Sequence, residues 1–256
     1  MGEAKRRKQT GAPSPARKNN KKPLLIAGAL VVVAAVAAAL YFLTTPPAPS
    51  SDALPVAAPN ADEFPAIVDQ YGISVGSEDA PVVVREFADY QCPACARFAE
   101  ASQRLKQEYV ETGKVRFVYF DLPLRQHQNA MPAAQAARCA GDQGQYWAMH
   151  DKLYDAQGEW SGSNDPVATF TRYANGMDLE ERRFRRCLET ELHKEAVEQS
   201  LQVAVQMRVS STPTVMVDNI QLTRPGWGQL SAVVERELNK TASTVPSTAS
   251  TYLRPN

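Results

Sequence analysis

The chain has 256 residues, 44% apolar and 22% charged, an ordinary globular balance that permits a real core in one generous domain or two small ones. Its 28 basic and 28 acidic residues cancel overall but are segregated, because residues 1–22 hold eight basic side chains against the single acid Glu3. The rest of the chain is therefore acidic, which excludes a nucleic-acid-binding domain, whose positive charge belongs on the folded part.

In chain order, the basic tail at 1–23 leads into an uncharged apolar run at 24–43. As a helix that run spans about 30 Å, the thickness of a bilayer hydrocarbon core, so a transmembrane anchor is predicted. Basic residues before it orient the N-terminus to the cytoplasm and place the remainder outside the membrane. The competing reading is a cleaved signal peptide, whose apolar region is usually about 7–15 residues. Residues 44–66 are rich in Pro, Ala and Ser and read as an extended linker. A folded domain is predicted over 67–240, and a Ser/Thr-rich disordered tail over 241–256.

Within that domain, the β-branched run at 81–90 reads as a buried strand. A helix is predicted over 93–112, with Phe98, Leu105 and Tyr109 on one face, and Gly113 and Lys114 turn the chain into a second strand at 115–120. Two strands joined by one helix make a parallel βαβ unit. The stretch 129–207 is helical in pattern, with breaks near 141–144, 158–165 and 175–177. Strands at 214–218 and 220–222 and an amphipathic helix at 229–238 complete the pattern. The fold class is α/β, with a helical insertion between a βαβ and a ββα half.

All four cysteines lie beyond the apolar run, and an even number fits an oxidising compartment. Cys92-Pro93-Ala94-Cys95 falls where the first strand ends and its helix begins. The first turn of a helix presents unpaired N–H groups and a partial positive charge, so a thiolate at Cys92 should form well below the ~8.5 of a free thiol. Pro93 suits the first helical position, where its missing N–H costs nothing. Cys95, one turn on, should be buried and less acidic. Cys92 is then the sulfur that meets a substrate, and Cys95 the one that resolves or reforms the bridge. Two other readings of the pair exist: half of a zinc site completed by Cys139 and Cys187, or an inert staple. The staple is a poor one, since so short a loop removes little entropy from the unfolded chain. Cys139 and Cys187 read as a structural disulfide, worth about 4 kcal/mol in the chain-entropy treatment, with free or regulatory thiols as the alternative. His127, His150 and His193 show no metal or triad spacing, and no cofactor or metal is expected.

Phe87-Ala-Asp-Tyr-Gln-Cys-Pro-Ala-Cys95 is similar to the active-site segment of the DsbA-like thiol–disulfide oxidoreductases, and the resemblance extends to the membrane-anchored or exported branch that includes the BdbD-type oxidases. It continues through Leu122-Pro-Leu-Arg-Gln-His127, Ala136-Ala-Arg-Cys-Ala-Gly-Asp-Gln-Gly-Gln-Tyr-Trp147, Met149-His-Asp-Lys-Leu153 and Val209-Ser-Ser-Thr-Pro-Thr-Val-Met-Val217. The resemblance implies a thioredoxin fold, a cis Pro213 facing the cysteine pair, and Thr212 touching the active sulfur. It also implies that Glu86 is a buried acid beneath Cys95 with a raised pKa, able to relay a proton. The dipeptide Pro93-Ala94 departs from the most oxidising members in lacking a histidine, which implies a milder oxidant. By the same resemblance the chain is a monomeric oxidase that introduces disulfides into reduced or unfolded exported proteins. Its reoxidant would be a quinone-linked membrane partner of the DsbB or vitamin K epoxide reductase type. The rivals are an isomerase or reductase of the same fold, and a thioredoxin-fold module that binds clients without turnover.

Overall fold

The computed structural model describes residues 53–57 and 64–244. The expected basic tail, the anchor at 24–43 and the end of the chain from 245 lie outside the described residues, and within them no helix is long and apolar enough to cross a membrane. A 3₁₀ turn, Ala66–Tyr71, leads into β1 (Ile73–Val75). β2 (Val82–Ala88), α1 (Pro93–Leu105) and β3 (Val115–Asp121) form the expected βαβ unit. Then come α2 (Ala130–Gly141), α3 (Tyr146–Asp155), α4 (Gln157–Trp160), α5 (Pro166–Asn175), α6 (Glu181–Glu189) and α7 (Lys194–Gln206). β4 (Thr214–Val217), β5 (Ile220–Gln221) and α8 (Trp227–Thr244) close the fold.

The sheet order is β1-β3-β2-β4-β5. β2 lies at its centre, parallel to β3 and antiparallel to β4, and β1 and β5 pair antiparallel at the edges. A central strand buried on both faces needs apolar residues at nearly every position, which is what Val82 to Ala88 supplies. Side chains still alternate between faces. Val82, Val84 and Ala88 join a core shared with Cys95, Phe98 and Leu105 of α1 and Leu230 of α8. Phe87, Val118 and Phe120 join a second cluster with Val203 and Ala204 of α7. This alternation decides where the two charged residues of β2 go. Arg85 shares its parity with Phe87 and forms a buried pair with Asp69 of the 3₁₀ turn at 2.7 Å. Glu86 shares the parity of Val84 and Ala88, so it is directed at α1.

α1 begins with Cys92 as an extended N-cap and Pro93 in the first turn. Beyond Leu105 the helix passes into a π turn, Lys106–Val110, in which the Glu111 N–H reaches the Lys106 carbonyl at 3.0 Å. Gly113 then stops the chain at φ +72°, a left-handed conformation that glycine adopts without a Cβ clash.

Three differences from the sequence reading stand out. The domain starts earlier than residue 67: Phe64 is buried, 6.4 Å from the Phe87 ring, with the Arg85 guanidinium 4.1 Å over its face, and Ala57 packs partly against the core. The final helix reaches Thr244, into the segment expected to be disordered, because Leu238 still packs on the core, and the hydroxyls of Thr241 and Ser243 turn back to carbonyls four residues earlier. The predicted helix over 93–112 is an α-helix only to Leu105.

Candidate active site

The antiparallel register pairs Phe87 with Thr214, so the start of β4 lies beside the end of β2. The segment entering β4 is thereby placed against the loop that carries Cys92. The Thr212–Pro213 peptide bond is cis, and the Thr212 carbonyl oxygen lies 3.7 Å from the Cys92 sulfur. Cys92 is 9% exposed and Cys95 is fully buried behind it, both as free thiols. Pro93 is exposed and Ala94 half-buried.

Donors converge on the Cys92 sulfur. A hydrogen bond from the Cys95 thiol favours its thiolate most; burial opposes it; the Thr212 side chain and the backbone N–H groups of Cys95 and Ala94 add to it. Together they bring Cys92 from an ordinary thiol's 9.0 down to about 4. The helix amides contribute as expected, but they rank behind the neighbouring thiol. Cys95 moves the other way, far above the ordinary thiol range, because it gives its proton to that hydrogen bond and because it is buried. One cysteine is thus kept as an anion and the other as a proton donor.

Glu86, 1% exposed, lies close enough to Cys95 for its charge to raise that thiol further. Burial brings Glu86 itself up to about 7, against the smaller opposing effects of a hydrogen bond from Ser102 and the charge of Lys106.

The loop between β2 and α1 is braced by residues that the sequence reading did not single out. The Gln157 side chain donates to the carbonyls of Tyr90 (2.7 Å) and Cys92 (3.1 Å). The Gln91 side chain donates to the Ser161 carbonyl and accepts from the Asn129 N–H, both at 2.7 Å. The carboxylate of Asp89 accepts from the Gln91 and Leu124 backbone and from His127. Only Asp89 had a local signal, as an acid two residues before an amide it can cap in a turn. The other partners are 38 or more residues away along the chain.

A thioredoxin family model matches residues 69–236. The chain is 31% identical over 173 residues to the probable disulfide bond formation protein D of Bacillus anthracis, spanning 65% of this chain and 78% of that one. The chain belongs to the DsbA-like thiol–disulfide oxidoreductases. The oxidised crystal structure of BdbD from Bacillus subtilis superposes with a TM-score of 0.60 at 22% identity, covering 66% of this chain and 94% of that one, which shows the shared fold. The oxidoreductase is also 38% identical over 144 residues to Na(+)/H(+) antiporter NhaA 3 of Salinispora tropica. That match takes in 56% of this chain and 21% of the antiporter, so it bears on the common domain and not on transport.

In this oxidoreductase Cys139 of α2 and Cys187 of α6 form a disulfide, with Cα atoms 5.9 Å apart. His193 Nε2 lies beside it and pairs with Asp142 at 2.8 Å, and this donor cluster includes neither Cys92 nor Cys95. The single four-cysteine zinc site considered from the sequence is therefore not assembled. His150 is buried among Tyr90, Tyr119, Tyr146, Trp147 and Tyr154, with Nδ1 2.9 Å from the Tyr90 hydroxyl. Burial and the charge of Lys106 hold it well below the ordinary histidine range, so it is a neutral core residue. The missing histidine in Pro93-Ala94 does not leave Cys92 short of donors, because Cys95 and Thr212 fill that place.

Proposed function

We propose that the protein is an extracytoplasmic oxidase that introduces disulfides into reduced exported proteins through Cys92 and Cys95. The observation that carries this reading is the convergence of donors on Cys92. A stabilised thiolate makes the reduced enzyme the favoured product of exchange, which is the property of a strong oxidant. This runs against the milder oxidant expected from Pro93-Ala94.

A client thiolate attacks the Cys92 sulfur of the oxidised pair. The Cys92–Cys95 bond breaks, and Cys95 leaves with the electron pair and takes up a proton, supplied by Glu86. A second client thiolate then attacks the client sulfur of the mixed disulfide. Cys92 departs as a thiolate, and two electrons have passed from client to enzyme. Thr212 and the cis Pro213 border the reacting sulfur and form the edge that a client backbone meets. Regeneration returns those two electrons to a quinone-linked membrane partner of the DsbB or vitamin K epoxide reductase type. The apolar run at 24–43 anchors the enzyme, as a monomer, with its catalytic domain beyond the membrane.

Two measurements test the reading. Full-length Cys95→Ala should accumulate client-linked disulfides through Cys92, and an absence of adducts would favour a passive binder. The equilibrium of the wild-type protein with glutathione should lie toward reduced enzyme; a strongly reducing value would assign it to the reductases.

A further inference from the structure

We propose that Asp89 is the positioning residue for both active cysteines, holding the strand-to-helix loop so that the Cys95 thiol points at the Cys92 sulfur. This rests on the assignment of Cys92 as the reacting thiolate.

The main chain of Asp89 touches both sulfur-bearing residues. Its carbonyl accepts the Cys92 N–H at 3.0 Å, and its own amide donates toward the Cys95 sulfur. A residue with those two attachments sets the relative placement of the cysteines, provided it cannot move. Its side chain supplies that condition. The carboxylate has no exposed surface and accepts three hydrogen bonds: the Gln91 N–H at 2.6 Å on one oxygen, and the Leu124 N–H at 2.7 Å with His127 Nδ1 at 2.8 Å on the other. Gln91 belongs to the reactive loop, whereas Leu124 and His127 belong to the segment after β3. The carboxylate therefore pins the loop to the neighbouring strand's exit. No neutral side chain of the same shape can do this, because an amide offers one acceptor oxygen where two are filled and turns a donor toward another donor.

Positioning and simple charge predict opposite signs. An anion near Cys92 disfavours a second anion, so if charge alone mattered, Asp89→Asn would ease ionisation of Cys92. If position matters, the same change loosens the Cys95 hydrogen bond and makes ionisation harder. A purely structural role lowers the melting temperature and leaves the titration of the sulfur where it was.

The experiment is a thiolate absorbance titration of the reduced full-length protein, with thermal melts run in parallel, on wild type, Asp89→Asn and His127→Ala. His127 is a part-exposed donor, so its removal takes one of the three bonds without neutralising the acid. The expected result is an upward shift of the Cys92 midpoint by about one pH unit in Asp89→Asn, a tenfold loss of thiolate at a given acidic pH, and a smaller shift of the same sign in His127→Ala. A midpoint unchanged or lowered in both variants, with wild type still acidic, overturns the positioning role and leaves the oxidase reading intact. A wild-type midpoint in the ordinary thiol range overturns both. Should Asp89→Asn fail to fold, the sign of the shift in Asp89→Ser decides, because that change also removes the negative charge while keeping one short acceptor.

Discussion

Ser102 Oγ donates to Glu86 Oε2 at 2.6 Å, while Glu86 Oε1 has no hydrogen-bond partner among the described residues. An ionised carboxylate would leave that oxygen dry and unpaired, and a protonated one suffers less. This is the local reason the group is lifted to about 7.

The consequence is a pH-dependent stability with a definite sign. Because Glu86 is raised from 4.5 to about 7 in the folded protein, its protonation favours folding. That contribution is fully present below pH 4.5 and is lost as the pH rises through about 7. Replacing Glu86 by Gln removes the dependence. In urea unfolding, the stability of Glu86→Gln relative to wild type should improve by about 3 kcal/mol between pH 4 and pH 8. A difference that stays flat over that range would show that Glu86 is not raised.

Cys95→Ala separates the two sources of thiolate stabilisation at Cys92. Losing the thiol donor should raise the Cys92 midpoint by about one to two pH units, the worth of one hydrogen bond to a charged group. The midpoint should still stay below that of a free thiol, since Thr212 and the helix amides remain. If it does not move, the amides rather than the neighbouring thiol are the main cause.

Gln157→Ala removes two donors from the carbonyls of Tyr90 and Cys92. Stability should fall by about 1–2 kcal/mol, and mixed-disulfide formation with a model thiol should slow, because the loop carrying the sulfur is held less firmly. Stopped-flow thiol exchange reads the second effect, and an unchanged rate would make Gln157 a purely structural brace.

Replacing Cys139 and Cys187 together by Ala opens a loop with a sequence separation of 48. Stability should fall by up to about 4 kcal/mol, while the titration of Cys92 stays in place. Chemical denaturation beside thiolate absorbance separates the two.

Much of this was legible because it is local. The β-branched run marks β2, the Cys-Pro step marks the start of α1, and Gly113 marks the end of the helical stretch that runs on through the π turn. Glu86 was singled out through the resemblance and not through the strand pattern, since parity puts it on the face of Val84 without saying that this face meets α1. Three-residue β1 was not legible, since so short a strand has no periodicity and exists only by pairing with β3. Phe64 sat in a Pro/Ala-rich stretch and was read as linker, although its burial depends on Phe87 and Arg85 of a strand some twenty residues on. The braces from Asn129 and Gln157 are long-range hydrogen bonds of ordinary polar residues, which carry no signature in sequence. The ranking of donors at Cys92 was hidden for another reason: the sequence shows both the helix amides and Cys95, but only the folded arrangement brings Cys95, Thr212 and those amides together around one sulfur.

Both ends of the Cys139–Cys187 bridge lie inside the helical insertion, on α2 and α6, and neither is a residue of the sheet. Cycling of the catalytic pair therefore leaves this crosslink outside the electron count. A reductant strong enough only for the Cys92–Cys95 couple should liberate two thiols per chain, and the insertion should keep its shape through every turnover.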